Sequence, residues 1–145
     1  MKILVAVDLS PASEQVIRVA KRVASATGSR VFVIHCAEPE PDFVGYGAGP
    51  EVVRDQVAAE FHREHKQVQT LAQELRDADI DATALLIRGP TVDTTLKEAG
   101  RLDASLIIVG SHGRGAVFDL LVGSYSSGIL KKSSVPVLVV PTRDA

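Results

Sequence analysis

The sequence lacks tryptophan, has one cysteine and contains few aromatic residues. Aromatic side chains make up 4% of the 145 residues, so we expect an aliphatic core. The single cysteine, Cys36, excludes an intrachain disulfide and leaves a cysteine-based metal site with too few ligands. This cysteine usage predicts a reducing, cytoplasmic compartment.

The sequence also lacks a basic excess and a long hydrophobic run. Its formal net charge is −2, so no positive field is present to hold a polyanion, and nucleic-acid binding is not expected. No apolar run reaches transmembrane length, and the first residues, MKILVAVDLS, turn polar too soon for a signal peptide. The length predicts one domain, residues 1–145, without membrane insertion.

Short aliphatic runs alternate with amphipathic segments along the chain. The runs predict buried strands at residues 3–7, 31–36, 82–87, 105–109 and 135–140. Apolar residues at helical spacing predict a helix in each interval. The resulting order, βαβαβαβαβ, predicts an α/β fold: one open, doubly wound, five-stranded parallel sheet, Rossmann-like, with helices on both faces.

Local signals mark the ends of the predicted helices. Ser10 is a candidate N-cap with Pro11 at the first helical position, and Gly28 is a stop signal. The long second helix runs from Glu51 to about residue 77, and a last short helix covers 124–132. The apolar stripe of the second helix is Val57, Phe61, Val68, Leu71 and Leu75.

In sheets of this kind, ligands bind beyond the carboxyl ends of the strands, where the winding direction reverses. The loops at that end are residues 8–11, 36–50, 88–91 and 110–124. Four of the 11 glycines lie in the last of these loops and three more in 36–50. A loop as long as 36–50 is usually functional, and there Phe43 and Tyr46 are candidates to cover a ligand.

The segment GSHGRGAVFDLLVGSYS, residues 110–126, predicts phosphate binding. Glycines let the main chain turn sharply and bring N–H groups close to an anion, and a helix N-terminus at Gly123 exposes unpaired N–H donors. Polar side chains add to these donors: His112, Arg114, Ser124 and Ser126.

Two common phosphate motifs do not fit this segment. A Walker A loop needs Lys and then Ser or Thr after its second glycine, but Ala116 and Val117 follow Gly115. A dinucleotide fingerprint needs GxGxxG after the first strand, but DLSPAS stands there. The pattern that remains is Gly-x2-Gly-x9-Gly-Ser.

This pattern, formed by Gly110, Gly113, Gly123 and Ser124, resembles that of the universal stress protein family in its nucleotide-binding branch. The resemblance covers nearly the whole chain, through ILVAVDLSPAS, LIIVGSHGRG and SVPVLVV. It implies a fold of the adenine nucleotide alpha hydrolase type, an adenine nucleotide, usually ATP (or ADP or AMP), at the end of the sheet, and a regulatory or sensor role in stress response. Mg²⁺ is expected to be held mainly by the phosphates.

The resemblance also implies binding residues. Asp8 matches an acidic residue near the ribose and adenine, Cys36 and Ala37 match a strand end that borders the base, and Tyr125 stands where the family often has a smaller aliphatic residue. The candidate nucleotide-binding residues are Ala6, Val7, Asp8, Ser10, Cys36, Ala37, Gly89, Gly110, Ser111, His112, Gly113, Arg114, Gly115, Gly123, Ser124, Tyr125 and Ser126.

Several of the singled-out residues also fit an ordinary structural role. Asp8 fits a turn or a helix start, and His112 fits an exposed loop residue. His35 and Cys36 fit packed strand residues. The two histidines of HREH, residues 62–65, fit a solvated helix face better than a metal site, because no further ligands complete a tetrahedron.

The sequence shows no GxSxG elbow and no spacing that selects a catalytic triad, so no residue is assigned as catalytic. Two alternatives to a nucleotide-binding regulator stay open: a slow ATP hydrolase or phosphotransferase using His112 or Asp8, and a ligand-free dimeric interaction module. The apolar strand 135–140 invites pairing if it forms a sheet edge, and the resemblance implies a homodimer through it. A protein partner is not identified.

Overall fold

A computed structural model describes residues 1–37, 50–112 and 122–142, without the side chains of residues 50–54. Strands and helices alternate through these ranges. The strands are β1 (Lys2–Ala6), β2 (Arg30–Ala37), β3 (Ala82–Arg88), β4 (Leu106–Gly110) and β5 (Val137–Val140). The helices are α1 (Ser13–Thr27), α2 (Pro50–Arg76), α3 (Thr91–Leu102) and α4 (Ser124–Lys132).

The five strands form one parallel sheet in the order β3-β2-β1-β4-β5. From β1 the chain adds strands on one side and then crosses to the other side to add β4 and β5. The direction of winding therefore reverses between β1 and β4, which confirms the predicted doubly wound sheet. The carboxyl ends of these two strands are where this architecture places a ligand.

The central strands are buried on both faces, which explains their unbroken apolar sequences. In β1, Ile3 and Val5 pack with α1 and α2, while Leu4 and Ala6 pack with the side that carries α3 and α4. Ile3, Leu4 and Val5 are all 0% exposed. Burial of this kind stabilises a fold by about 25 cal/mol per Å² of apolar surface.

The start of α1 differs from the prediction. The helix begins at Ser13 with Ala12 as its N-cap, so the prediction of Ser10 as N-cap and Pro11 as first helical residue was wrong. The physical reason is that residues 10–13 form a separate turn, in which the Ser13 N–H donates to the Ser10 carbonyl (3.0 Å). The predicted stop is confirmed, since Gly28 ends α1 with φ +66°.

Helix α2 has 27 residues, about 40 Å at 1.5 Å per residue. Val68, Leu71 and Leu75 lie in the core as predicted. Val57 and Phe61 are only half-buried and line a cleft instead. In the part of the chain that the structure describes, no helix combines the length and apolarity needed to span a membrane.

Candidate functional site

A cleft of about 750 Å³ opens at the carboxyl ends of β1, β2 and β4, within the size range of small-molecule sites. The predicted site residues that line it are Ala6, Val7, Asp8, Cys36, Ala37, Gly110, His112, Tyr125 and Ser126. The predicted residues in the adjoining turns that do not line it are Ser10, Gly89, Ser111, Gly123 and Ser124. The predictions that lie outside the described residues are Phe43, Tyr46, Gly113, Arg114 and Gly115.

Asp8 lines the cleft and also stabilises a turn, which is the structural role that the sequence analysis left open. Its Oδ1 accepts hydrogen bonds from the Ser10 N–H (2.9 Å), the Ser10 hydroxyl (2.6 Å) and the Ser13 hydroxyl (3.3 Å). These bonds are typical of an Asx turn. The carboxylate therefore stabilises the entry to α1 and is held rigidly where β1 ends.

His35 connects three elements beside the cleft. Its Nδ1 lies 2.9 Å from the carbonyl oxygen of Val7, and its Nε2 lies 2.7 Å from Oε2 of Glu64 on α2. A carbonyl oxygen only accepts, so Nδ1 carries the hydrogen in the first bond. The sequence predicted only a packed strand residue, because nothing in it indicates that Glu64 lies within reach.

Thr95 of α3 is the centre of a buried polar network at the floor of the cleft. Its hydroxyl donates to the carbonyl of Thr91 (2.8 Å) and has no second hydrogen. It therefore accepts from the Tyr125 hydroxyl (2.6 Å) and from the Cys36 thiol (3.3 Å). The sequence singled out Tyr125 and Cys36 but gave no signal for Thr95, whose partners come from β2 and α4.

Burial governs the ionisation of both donors in this network. Desolvation raises the pKa of the Cys36 thiol, Glu98 adds repulsion, and the bond to Thr95 opposes both. Desolvation also raises the pKa of the Tyr125 hydroxyl well above its ordinary value. Cys36 is therefore a protonated, weakly nucleophilic thiol, as its interpretation as a packed residue predicts.

At two of the predicted site glycines, neighbouring side chains lie too close to the main chain for a larger residue. A Cβ on Gly110 would lie 3.1 Å from Cγ2 of Thr142 and 3.3 Å from Cγ2 of Val16. A Cβ on Gly89 would collide with the hydroxyl of Thr94, and Gly89 also has φ +154°. Both residues therefore bring the main chain close to its neighbours where β4 and β3 end.

The start of α4 presents main-chain donors next to the end of β4. Gly123 is the N-cap, its N–H donates to the Ser111 carbonyl (2.6 Å), and as a glycine it has no side chain with which to cap the helix. The N–H groups of residues 124–126 have no acceptor within the helix and lie at its positive end. The hydroxyl of Ser126 donates to the Gly110 carbonyl, which holds this turn against β4.

His112 is 4% exposed, which excludes the alternative of a loop side chain in water. Its Nδ1 lies 3.1 Å from the Ser111 hydroxyl, and the residue lines the cleft two positions after Gly110, whose carbonyl accepts from Ser126. The donors of α4 and this imidazole thus border one part of the cleft, a combination suited to an anion.

A further wall comes from the middle of α2, residues 57–67, which the sequence did not assign to the site. Phe61 and Glu64 project from it, and the guanidinium of Arg88, at the end of β3, lies 4.7 Å from the Phe61 ring centroid. A cation over an aromatic face is attractive. The wall is therefore tied to the sheet at β3 as well as through His35.

A family model described as the universal stress protein family matches residues 1–141. A curated relative from Thermus aquaticus, the universal stress protein in the QAH/OAS sulfhydrylase 3' region, is 33% identical over 138 residues, which are 95% of this chain and 96% of the relative. Universal stress protein A homolog 2 of Coxiella burnetii is 32% identical over 143 residues, 96% and 93% of the two chains.

Solved structures share the fold. Protein MJ0577 of Methanocaldococcus jannaschii superposes with a TM-score of 0.82 at 24% identity, covering 97% of this chain and 94% of its own. A universal stress protein in complex with cAMP gives 0.70 at 20% identity, covering 98% and 97%. One from Archaeoglobus fulgidus in complex with dAMP gives 0.66 at 22% identity, covering 97% of both chains.

Proposed function

The chain belongs to the universal stress protein family, and we propose that its cleft binds an adenine nucleotide, ATP or else ADP or AMP. The base would border Cys36 and Ala37, and the ribose would lie near Asp8. The phosphates would face Gly110, His112 and the start of α4. Gly113, Arg114 and Gly115 of the predicted phosphate segment belong to the same proposal.

One observation carries the proposal: the N-terminus of α4, where the N-cap is a glycine, and the end of β4 meet at a cleft large enough for a nucleotide. Main-chain N–H groups at the positive end of a helix are a favourable environment for phosphate. The small side chains of Ala6 and Ala37 leave room at the ends of the central strands. Two family members of known structure hold cAMP and dAMP, which supports adenine as the base.

Any divalent ion would be held through the phosphates in this proposal. Within residues 1–37, 50–112 and 122–142, no three His, Cys, Asp or Glu side chains group closely enough to hold a metal ion. Mg²⁺ commonly keeps several waters and uses phosphate oxygens as ligands. Such an ion would neutralise phosphate charge, while the chain supplies the N–H donors.

Beyond binding, we propose a regulatory or sensor role in stress response, in the cytoplasm, as a homodimer through β5. Nucleotide binding suits a sensor because occupancy follows the cellular nucleotide concentration. The edge position of β5 in the sheet supports the dimer. An unidentified protein partner would read the bound state.

The test places the same negative charge at either end of α4. Ser124 and Ser134 are both exposed, at the first turn of α4 and just beyond its last turn. Calorimetry with ATP, ADP and AMP, beside GTP, measures the affinity of each variant. Ser124→Glu should weaken ATP binding about tenfold, because its carboxylate repels phosphate at the helix start, whereas Ser134→Glu should match the unmodified chain.

The proposal fails if the unmodified chain gives no binding heat with any adenine nucleotide and releases none, by mass spectrometry, when denatured after purification. It also fails if GTP binds as tightly as ATP. Equal effects of the two Glu variants would show that the phosphates do not lie at the start of α4.

A further inference from the structure

Thr142, the residue two positions after β5, is 2% exposed and bonds to both main-chain groups of His112. Its hydroxyl accepts from the His112 N–H (3.0 Å) and donates to the His112 carbonyl (3.0 Å). Just beyond the ends of β4 and β5, this one side chain thus takes the place of main-chain pairing between the two segments. His112 is fixed in this way where it enters the cleft.

The main-chain N–H of Thr142 has an equally specific partner. In a regular parallel ladder the bond from the Ser111 N–H to the Val140 carbonyl (2.8 Å) would be followed by one from the Thr142 N–H to the Ser111 carbonyl. Here the Thr142 N–H donates instead to the Ser111 hydroxyl (3.0 Å). The Ser111 carbonyl is left for the Gly123 N–H (2.6 Å), the N-cap of α4.

Thr142 is therefore connected to both His112 and the start of α4, which border the phosphate side of the cleft. It bonds to His112 directly, and it is linked through Ser111 to Gly123 and the first turn of α4. Its methyl group also packs against Gly110, where an added Cβ would lie 3.1 Å away. Loss of the hydroxyl would leave two buried main-chain groups of His112 without this partner.

From these contacts we propose that Thr142 is a positioning residue, which holds His112 and the start of α4 in the arrangement that receives the nucleotide phosphates. The inference rests on the proposed nucleotide binding, and it goes further by assigning the orientation of the phosphate side to a residue outside the cleft. Adenosine, which lacks phosphates, should bind independently of the Thr142 hydroxyl.

The experiment compares Thr142→Val, which keeps the shape but not the hydroxyl, with Thr142→Ser, which keeps the hydroxyl. Calorimetry measures the ATP affinity, and an NMR titration measures the adenosine affinity. Thr142→Val should lose at least about tenfold in ATP affinity, the effect of roughly one lost hydrogen bond, and less than about twofold for adenosine. Thr142→Ser should restore ATP binding.

Hydrogen exchange of the His112 amide gives a readout that needs no ligand. Its exchange should accelerate at least about tenfold in Thr142→Val and recover in Thr142→Ser. If circular dichroism shows that Thr142→Val is unfolded, Thr142→Ala takes its place, because the smaller side chain admits water to the unpaired groups.

Each outcome separates the two proposals. If the unmodified chain binds no adenine nucleotide, the proposed function is refuted, and the exchange of the His112 amide then decides alone whether Thr142 anchors this segment. If the unmodified chain binds ATP but Thr142→Val binds it equally well, the positioning role is refuted. Equal losses for ATP and adenosine would also refute it, because they indicate a general loss of structure.

Discussion

Thr95 has one hydroxyl hydrogen and donates it to the Thr91 carbonyl, so Tyr125 and Cys36 must both act as donors toward it. Neither side chain can ionise and keep that bond unless Thr95 turns its hydrogen away from the Thr91 carbonyl. Burial is the largest cause of the raised pKa of both groups. At the residue scale, the floor of the cleft is therefore neutral, although it contains a thiol and a phenol.

This arrangement predicts a loss of stability at alkaline pH. Tyr125 keeps its proton in the folded chain, whereas an unfolded chain releases it near the ordinary pKa of 10.0. The folded state then binds more protons, so stability is complete below pH 10 and falls as the pH rises above it. The Cys36 thiol acts in the same direction above its ordinary pKa of 9.0. Tyr125→Phe should make the decrease of the free energy of unfolding with pH shallower by up to about 1.4 kcal/mol per pH unit.

Denaturant melts between pH 8 and 11 measure how the free energy of unfolding changes with pH. In a Tyr46→Phe background, Tyr125 is the one remaining tyrosine of the two in the sequence. Ultraviolet absorbance then follows its ionisation alone, and tyrosinate should appear only together with unfolding by circular dichroism. Titration near pH 10 in a folded chain would contradict the buried network.

At the scale of elements, a few side-chain contacts hold the cleft-lining part of α2 against the sheet. The last part of this helix, from Val68 to Leu75, packs in the core, while its middle is tied to the sheet by Glu64 and Phe61. We expect Glu64→Ala to destabilise the fold by about 1–2 kcal/mol, because a partly buried His35 ring then loses one partner. Glu60→Ala, one turn earlier and exposed, is the matched control and should change stability by less than about 0.5 kcal/mol.

A double-mutant cycle of His35→Ala and Glu64→Ala isolates the pair. Urea midpoints of the four chains should give a coupling free energy of about 1 kcal/mol. A coupling close to zero would mean that the two side chains do not interact in solution and that His35 does not tie the wall to the sheet.

The elements were predictable because their signals are local. Parallel strands buried on both faces have continuous apolar runs, and helices in contact with such a sheet have apolar residues at helical spacing. The start of α1 was missed because Asp8 takes the Ser10 hydroxyl that would cap a helix. Local capping signals cannot show such competition between neighbours.

The site was predictable only in part, for a related reason. The ends of the strands follow from the βαβ alternation, so lining residues such as Asp8 and Gly110 were found. The positions of Glu64, Thr95 and Thr142 depend on partners 29 or more residues away. These partners are His35, Tyr125 and His112, at separations of 29, 30 and 30 residues. No periodicity or motif encodes these pairings, which require the sheet order.

At the scale of the whole molecule, β5 forms an edge of the sheet. The carbonyls of Pro136 and Val140 accept bonds from the N–H groups of Ile107 in β4 and Ser111 just after it, and main-chain groups alternate in direction along a strand. The N–H and C=O groups of Val137 and Val139 therefore point away from β4. An apolar edge of this kind favours pairing with the same strand of a second copy.

The edge can be blocked without removing a bond to β4. Because the Val139 N–H points outward, Val139→Pro removes one hydrogen-bond donor from the free edge. The N–H groups of β5 that face β4 stay in place. We expect light scattering at micromolar concentration to give a dimer for the unmodified chain and a monomer for Val139→Pro. Val139→Thr, which keeps the N–H and the β-branched shape, should stay dimeric. A monomeric mass for the unmodified chain, or a dimer that persists in Val139→Pro, would show that β5 is not the contact between copies, and the apolar edge would then need a different partner.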